Sequence, residues 1–331
     1  MHNLMILNGQ ASMFYIDETP WHGLGTRLNG PATAKEAIQA ANLDWKVSKT
    51  PVFTTVASNR LVVPDTFAIV RNDPLHSPVL GVVSKDYTPL QNDEAFGFFD
   101  PIVGENAAIY HTAGALGQGE RIWLLAKLPG QLRVVGDDVA DKYLLLANSH
   151  DGKGSVQVKF TSVRVVCQNT LTLAFSGGES FRLIHTPDVK HRLKAAGQLL
   201  AQVRTRYDTM EEGLQAMARV QVNASRLTEY LTEVFKPSDP TDDAALIRAE
   251  RNRDWAEHFF DEGRGNRLPG VRGTLWAAFN GVTELLDHRK TRQSPHQRLS
   301  SLWFGDNYRT KARAFSLAQE KMEAWTGSSM N

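Results

Sequence analysis

Asn148-Ser149-His150-Asp151-Gly152, continued as Val156-Gln157-Val158-Lys159-Phe160-Thr161-Ser162-Val163-Arg164-Val165-Val166-Cys167-Gln168-Asn169-Thr170-Leu171, joins a polar loop to a long β-reading segment. Val156, Val158 and Phe160 alternate with Gln157, Lys159 and Thr161, which gives one apolar and one polar face. After Ser162 the apolar positions are Val163 and Val165, so the alternation slips by one residue. A β-bulge at Thr161-Ser162 would restore a single buried face and leave Lys159, Thr161 and Arg164 together on the other. Two cations and a hydroxyl on an exposed sheet surface suit a phosphate backbone, whose counterions they displace. The competing reading is a solvated sheet face.

The Asn-Ser-His-Asp-Gly loop and the Val-Arg-Val-Val-Cys-Gln-Asn-Thr-Leu strand resemble the phage/plasmid-like family of uncharacterised proteins. Trp21-His22-Gly23-Leu24-Gly25-Thr26, Val83-Ser84-Lys85-Asp86-Tyr87 and Asp287-His288 carry the same resemblance. Together these motifs cover most of the chain. The resemblance brings no established catalytic residues. It implies a cytoplasmic protein that serves phage or plasmid DNA metabolism, or one that opposes host defence.

The chain has 331 residues, 42% of them hydrophobic, which is enough for two domains or for one domain with a large appendage. Its formal net charge is +1, so a nucleic-acid site must come from local clustering. A single cysteine excludes an internal disulfide and the all-cysteine zinc sites. Met1-His2-Asn3-Leu4-Met5 lacks the basic and apolar regions of a signal peptide, and no apolar run approaches a membrane span. The expectation is a soluble cytoplasmic protein with no membrane contact.

Residues 1–30 read as an arm, and the short Gly23/Gly25 pair is no dinucleotide fingerprint. Thr33 can cap a short helix carrying Ala37, Ile38 and Ala41. From Trp45 to Phe175 the chain reads mostly β, with strands at Val52–Val56, Phe67–Val70 and Leu80–Val83 and a helix from Asn92. Two hairpin-like passages follow: Ile109–Thr112 to Arg121–Ala126, and Tyr143–Leu146 through the loop into the basic strand. Strands grouped around few helices predict an α+β fold, a mainly antiparallel sheet region followed by a long-helix region. Residues 31–185 are expected to form the sheet domain and residues 186–331 the helical region, with a linker at 236–243.

Thr186-Pro187-Asp188 is a helix start. Val189, Leu193, Ala196, Leu200, Val203, Tyr207, Met210, Leu214 and Met217 then step by four and three, a heptad seam of roughly 30 residues. Such a seam packs along another helix of the chain or meets a second subunit, and a homo-oligomer is expected. The last helix opens near Asp306 with Arg309, Lys311 and Arg313 in its first turns. Cations there oppose the helix dipole, so an anionic partner is expected.

Local charge speaks most clearly about function. Arg182, Lys190, Arg192, Lys194, Arg204 and Arg206 stand against one acid, Asp188. Arg289, Lys290, Arg292, Arg298, Arg309, Lys311 and Arg313 stand against Asp306. Both runs lie near aromatics, as in grooves that hold single strands without sequence preference. The loop Gly263-Arg264-Gly265-Asn266-Arg267-Leu268-Pro269-Gly270-Val271-Arg272-Gly273 precedes a helix at Thr274. It reads as a phosphate cradle or as a flexible connector, and it lacks the Gly-Lys-Ser/Thr ending of a nucleotide-hydrolysing loop.

The resulting expectation is a sequence-tolerant binder of single-stranded nucleic acid, engaged in annealing or protection. Lys153, Lys159, Arg164, Arg182, Lys190, Arg192, Lys194, Arg264, Arg267, Arg272, Arg309 and Lys311 are the expected contacts, with no catalytic residue, metal or cofactor. Two alternatives stay open. One is an inhibitor that binds a host defence protein. The other is a metal-dependent nuclease using Asp151, Gln157 and Lys159, with Glu120 as a further ligand. His150-Asp151 also resembles metal phosphohydrolases, which need further histidines that cannot be assembled here. Cys167 reads as a buried structural thiol.

Overall fold

Val56 and Asn59 face each other across Ala57-Ser58, whose φ angles of 46° and 67° are both positive, as a two-residue hairpin turn requires. This turn closes a long hairpin of a computed structural model that describes residues 4–16, 24–73, 77–100, 108–164, 170–171, 181–197, 203–289 and 305–327. The strands are β1 (Ile6–Leu7), β2 (Gln10–Ala11), β3 (Met13–Ile16), β4 (Thr26–Leu28), β5 (Lys46–Val56), β6 (Asn59–Asn72) and β7 (Val79–Ser84). There follow β8 (Ile109–Leu116), β9 (Arg121–Val135), β10 (Asp138–Ser149), β11 (Val156–Arg164), β12 (Thr170–Leu171) and β13 (Phe181–Leu183). The helices are α1 (Ala34–Ala40), α2 (Asn92–Phe96), α3 (Val189–Gly197), α4 (Val203–Arg219), α5 (Ala224–Val234), α6 (Asp243–Glu262), α7 (Leu275–Glu284) and α8 (Asp306–Gly327). The class is α+β, with strands first and helices later.

Among the described residues the main sheet runs β12-β11-β10-β9-β8-β3-β4, and β13 also pairs with β11. The β5-β6-β7 sheet stands apart, with antiparallel neighbours throughout. One parallel pair, β3 with β4, interrupts the otherwise antiparallel pairings described. β7 meets β6 only from Thr66 to Val70, so the ribbon from Pro51 to Asp65 extends beyond the third strand. Its apolar side chains stay in water: Phe53, Val56, Leu61 and Val62 are 41%, 57%, 49% and 58% exposed. The sequence reading placed a strand at Val52–Val56 but missed this arm, because Pro64-Asp65 reads as a break rather than as an irregular position in one long strand.

The chain divides into two compact units: residues 1–129, 143–159 and 180–201, and residues 130–142, 160–179 and 202–331. In the first, Thr33 caps α1 by a reciprocal capping box with Glu36. Phe96, Phe99, Tyr110 and Phe14, each fully buried, fill its core. In the second, every residue of α7 is buried. Gly281 lets α6 approach, since a Cβ there would sit 2.6 Å from the carbonyl oxygen of Ala256. The loop after Lys236 joins α5 to α6 within this unit.

The heptad seam, expected to pack along another helix of the chain or to meet a second subunit, is buried within the chain at its described positions. Val189 and Leu193 are buried in α3, in the first unit, and Tyr207, Met210, Leu214 and Met217 are buried in α4, in the second. Their apolar faces are consumed by the chain's own cores. Ala196, Leu200 and Val203 have side chains outside the described residues.

Candidate functional site

Asn148 and His150 pin the polar loop from below. The Asn148 side-chain amide donates to the Leu90 carbonyl at 3.0 Å, and the His150 backbone amide donates to the Glu120 carbonyl at 2.7 Å. His150 is fully buried, edge-on to Trp45, with Nε2 3.1 Å from Asn92 Oδ1. Asn92 uses its amide on the Leu43 carbonyl, so its oxygen accepts and Nε2 of His150 carries the proton. Nδ1 then holds a lone pair without a partner. Burial first, then the neighbouring His185, lowers the pKa of His150 to about 3.

Above these anchors the loop turns on Asp151. Its Oδ1 accepts the Lys153 amide at 2.8 Å and the Ser149 hydroxyl, and its Oδ2 lies 3.9 Å from Arg121 Nη2. The carboxylate is therefore committed to shaping the turn. Gly81 of β7 passes directly beneath, where a Cβ would come within 2.6 Å of the Asp151 carbonyl carbon. The motif Ser84-Lys85-Asp86-Tyr87 forms the next wall. Lys49 Nζ donates to the carbonyls of Lys85 and Tyr87, 2.9 Å to the latter, and the Tyr87 hydroxyl donates to the Ser149 carbonyl at 2.8 Å.

β13 supplies the third wall. Val156 pairs with Leu183 and Gln157 with Arg182, which sets Ile184-His185-Thr186 beside the loop residues 152–155. The His185 ring stacks on Tyr87 with centroids 4.6 Å apart, its Nδ1 3.1 Å from the Thr88 carbonyl. A carbonyl only accepts, so Nδ1 carries the proton and Nε2, buried and without a partner, holds the lone pair. Burial lowers the His185 pKa, which favours this neutral form. Ser84, Asp86, Tyr87, Lys153, Ser155, His185 and Thr186 line the resulting cavity of about 390 Å³.

Several expected contacts stand elsewhere, and the expected exposed face of β11 is corrected. Lys159 is 5% exposed and Thr161 1% exposed. α4 covers the Phe160–Ser162 stretch: the Tyr207 hydroxyl donates to the Thr161 carbonyl at 2.9 Å, and its ring meets Phe160 edge-on. Burial first, then Arg182, lowers the Lys159 pKa to about 8. β11 exchanges its partner β13 for β12 between Val158 and Ser162, where the sequence suggested a bulge. The side chains of Arg164 and Lys194 lie outside the described residues, as do Trp21 to Gly23, Cys167, and Lys290, Arg292 and Arg298 of the second basic run.

Lys311 is also corrected: it is fully buried, its ammonium 2.8 Å from Asp287 Oδ1. Arg309 pairs with Asp306, and Arg313 donates to the Glu233 and Lys236 carbonyls. The chain itself thus supplies carboxylate partners for Arg309 and Lys311 and neutral backbone carbonyls for Arg313. Lys190 lies 2.5 Å from Glu94, and Arg192 is half-buried.

Arg267 pairs with Glu262, while the Arg264 amide donates to Glu284 Oε2 at 2.9 Å. Arg272 is exposed. The glycine loop is neither a flexible connector nor an open cradle. Its turns are hydrogen-bonded from Gly263 to Thr274, Asn266 is buried against the Phe259 and Ala277 carbonyls, and Thr274 caps α7.

Of the expected cations, buried Lys159 and exposed Arg182 are brought together, and exposed Lys153 lines the cavity. Sequence reasoning quoted Ser84–Tyr87 as a motif but missed its pairing with His185, since a lone histidine after a short strand has no spacing signal. Among the described residues no group of three or more His, Cys, Asp or Glu could hold a metal ion. No described helix is long and apolar enough to cross a membrane. No curated protein and no solved structure matches the chain. The family described as Domain of unknown function (DUF932) matches residues 79–303, a span that includes all three walls of the cavity. That match exceeds half of the 331 residues, and the chain belongs to this family.

Proposed function

We propose that the protein binds single-stranded nucleic acid without sequence preference, in the service of a phage or plasmid. One observation supports this above the others: exposed Lys153 lines an open cavity of about 390 Å³, and exposed Arg182 stands on β13 two residues before the cavity-lining Ile184. Cations at the rim attract phosphates, and the Tyr87–His185 stack offers an aromatic wall to a base or sugar. The buried Lys159 and Lys311 are removed from the contact surface. The phage or plasmid setting rests on the sequence motifs alone.

The test is a salt titration with labelled strands of about 15 nucleotides. Log affinity should fall steeply with log salt, each phosphate contact contributing a slope of roughly 0.7. Lys153→Ala with Arg182→Ala should flatten that slope by about 1.4, with an unchanged thermal melt. Salt-independent or absent binding by the native protein ends this reading.

A second reading, recognition of a host protein, is favoured by the Pro51–Asp65 arm. An isolated two-stranded ribbon with exposed valine, leucine and phenylalanine is marginal in water, and such patches mark interaction surfaces.

A further inference from the structure

We propose that the β5–β6 arm pairs with the same arm of a second copy of the chain, through the free edge of β5 and about a two-fold axis at Thr54. This dimer goes beyond the single-strand reading and does not depend on it.

The turn decides which backbone groups the edge offers. A two-residue turn makes Val56 and Asn59 a hydrogen-bonded pair, and bonded and non-bonded pairs alternate along an antiparallel ladder. Thr54 and Leu61 are therefore bonded to each other. Phe53 and Thr55, opposite Val62 and Arg60, instead point their amides and carbonyls outward. Phe53, Thr54, Thr55 and Val56 are all exposed, so the edge presents unpaired backbone groups to water. Nearer the body the chain closes β5 itself. There the Gln91 side chain accepts from the Val47 amide and donates to the Val47 carbonyl, both at 3.0 Å.

Natural edge strands are blunted by charge or proline, and between Pro51 and the turn this edge has neither. Its sequence instead matches itself. Run antiparallel about Thr54, Val52 meets Val56 of the partner subunit, Phe53 meets Thr55 of the partner subunit, and Thr54 meets Thr54 of the partner subunit. Threonine pairs and aromatic–β-branched pairs stabilise neighbouring strands. In this register Phe53 and Thr55 of the partner subunit exchange both backbone bonds, and so do Thr55 and Phe53 of the partner subunit. Centring on Phe53 would set Thr55 against a proline, which has no amide proton, and centring on Thr55 would set Phe53 against the turn residue Ala57. The Thr54 register alone uses both outward residues.

Charge agrees with this register. Arg60 is held on its own arm, its guanidinium 3.7 Å over the Phe53 ring, and Asp65 pairs with Lys85. Arg60 stands on β6, so the two copies of it would lie on the outer strands of the joint sheet, roughly 14 Å apart by the strand spacing and beyond a Debye length. The contact is short for a protein interface, so a dissociation constant on the order of 10 µM is expected.

The experiment is sedimentation of the full chain from about 1 to 100 µM, which brackets that constant. Thr54→Lys sets like charges opposite each other on the axis and should weaken the dimer about tenfold or more. Thr54 is exposed, and an unchanged circular dichroism spectrum checks the fold. Thr54→Cys should cross-link to its own copy under mild oxidation, because a non-bonded pair brings the Cα atoms to about 4.5 Å. Thr55→Cys should not, since its own copy lies diagonally across the axis, beyond the roughly 7 Å that a disulfide can bridge. The native chain, with Cys167 alone, gives the background. A monomer at every concentration overturns the pairing. A dimer that keeps its affinity in Thr54→Lys, or that cross-links through Thr55→Cys as readily as through Thr54→Cys, uses another surface and overturns it too.

Discussion

Lys311→Ala is expected to lower the stability of the native protein by about 3–5 kcal/mol, the usual cost of stranding one partner of a buried ion pair. Lys311 is 0% and Asp287 5% exposed, and their charged atoms lie 2.8 Å apart. Asp287 sits in the π-helical turn Leu285–Arg289 that ends α7, so the pair fastens α8 to this segment. Asn307 adds to the junction by donating to the Leu286 carbonyl at 3.0 Å. Without the ammonium, the Asp287 carboxylate loses its ion pair with Lys311 inside the core. Urea denaturation should show the loss, and Lys311→Met with Asp287→Leu should recover much of it by replacing both charges with apolar bulk. Arg309→Ala, one turn away in an exposed pair with Asp306, should change stability by no more than about 1 kcal/mol. If Lys311→Ala melts like the native protein but loses strand affinity, Lys311 is a surface contact after all and the buried pair is refuted.

Lys311 also shows where the sequence stopped being readable. Its neighbours Arg309 and Arg313 made a basic helix start conspicuous, and the dipole argument called for anions. Nothing local said that Asp287, far along the chain, supplied one from inside. β11 has the same lesson. Its alternation was legible, and so were the hairpins on either side, because turn residues and period-2 patterning are local. Which face meets water depends on α4, whose Tyr207 and Met210 arrive more than forty residues later. The heptad seam was correctly apolar at every described position, yet periodicity alone cannot say whether its partner is another subunit or the same core. His150 and Asp151 were singled out as a loop, but their division of labour needed the fold. One reaches down to Asn92, and the other closes the turn above it.

His150 carries the second large effect, a steep loss of stability in mild acid. The folded protein holds its pKa near 3, against an ordinary value of 6.5. Between those values the unfolded chain binds a proton that the fold refuses, so unfolding is favoured as pH falls through that window. Each pH unit below 6.5 should cost about 1.4 kcal/mol, reaching roughly 5 kcal/mol near pH 3. His185, shifted in the same direction by burial, steepens the slope further. Above pH 7 both rings are neutral in either state and contribute no pH dependence.

Chemical denaturation at pH 7, 6, 5 and 4 measures the slope. Comparison with His150→Gln, whose side-chain amide can still donate to Asn92, isolates the His150 share. The variant should be somewhat less stable at pH 7 and lose stability more slowly in acid. Parallel curves for the two proteins would mean that His150 is protonated without penalty and is not buried as described. Because His150 precedes Asp151 and the Lys153 loop, strand binding should fall over the same pH window by loss of the loop.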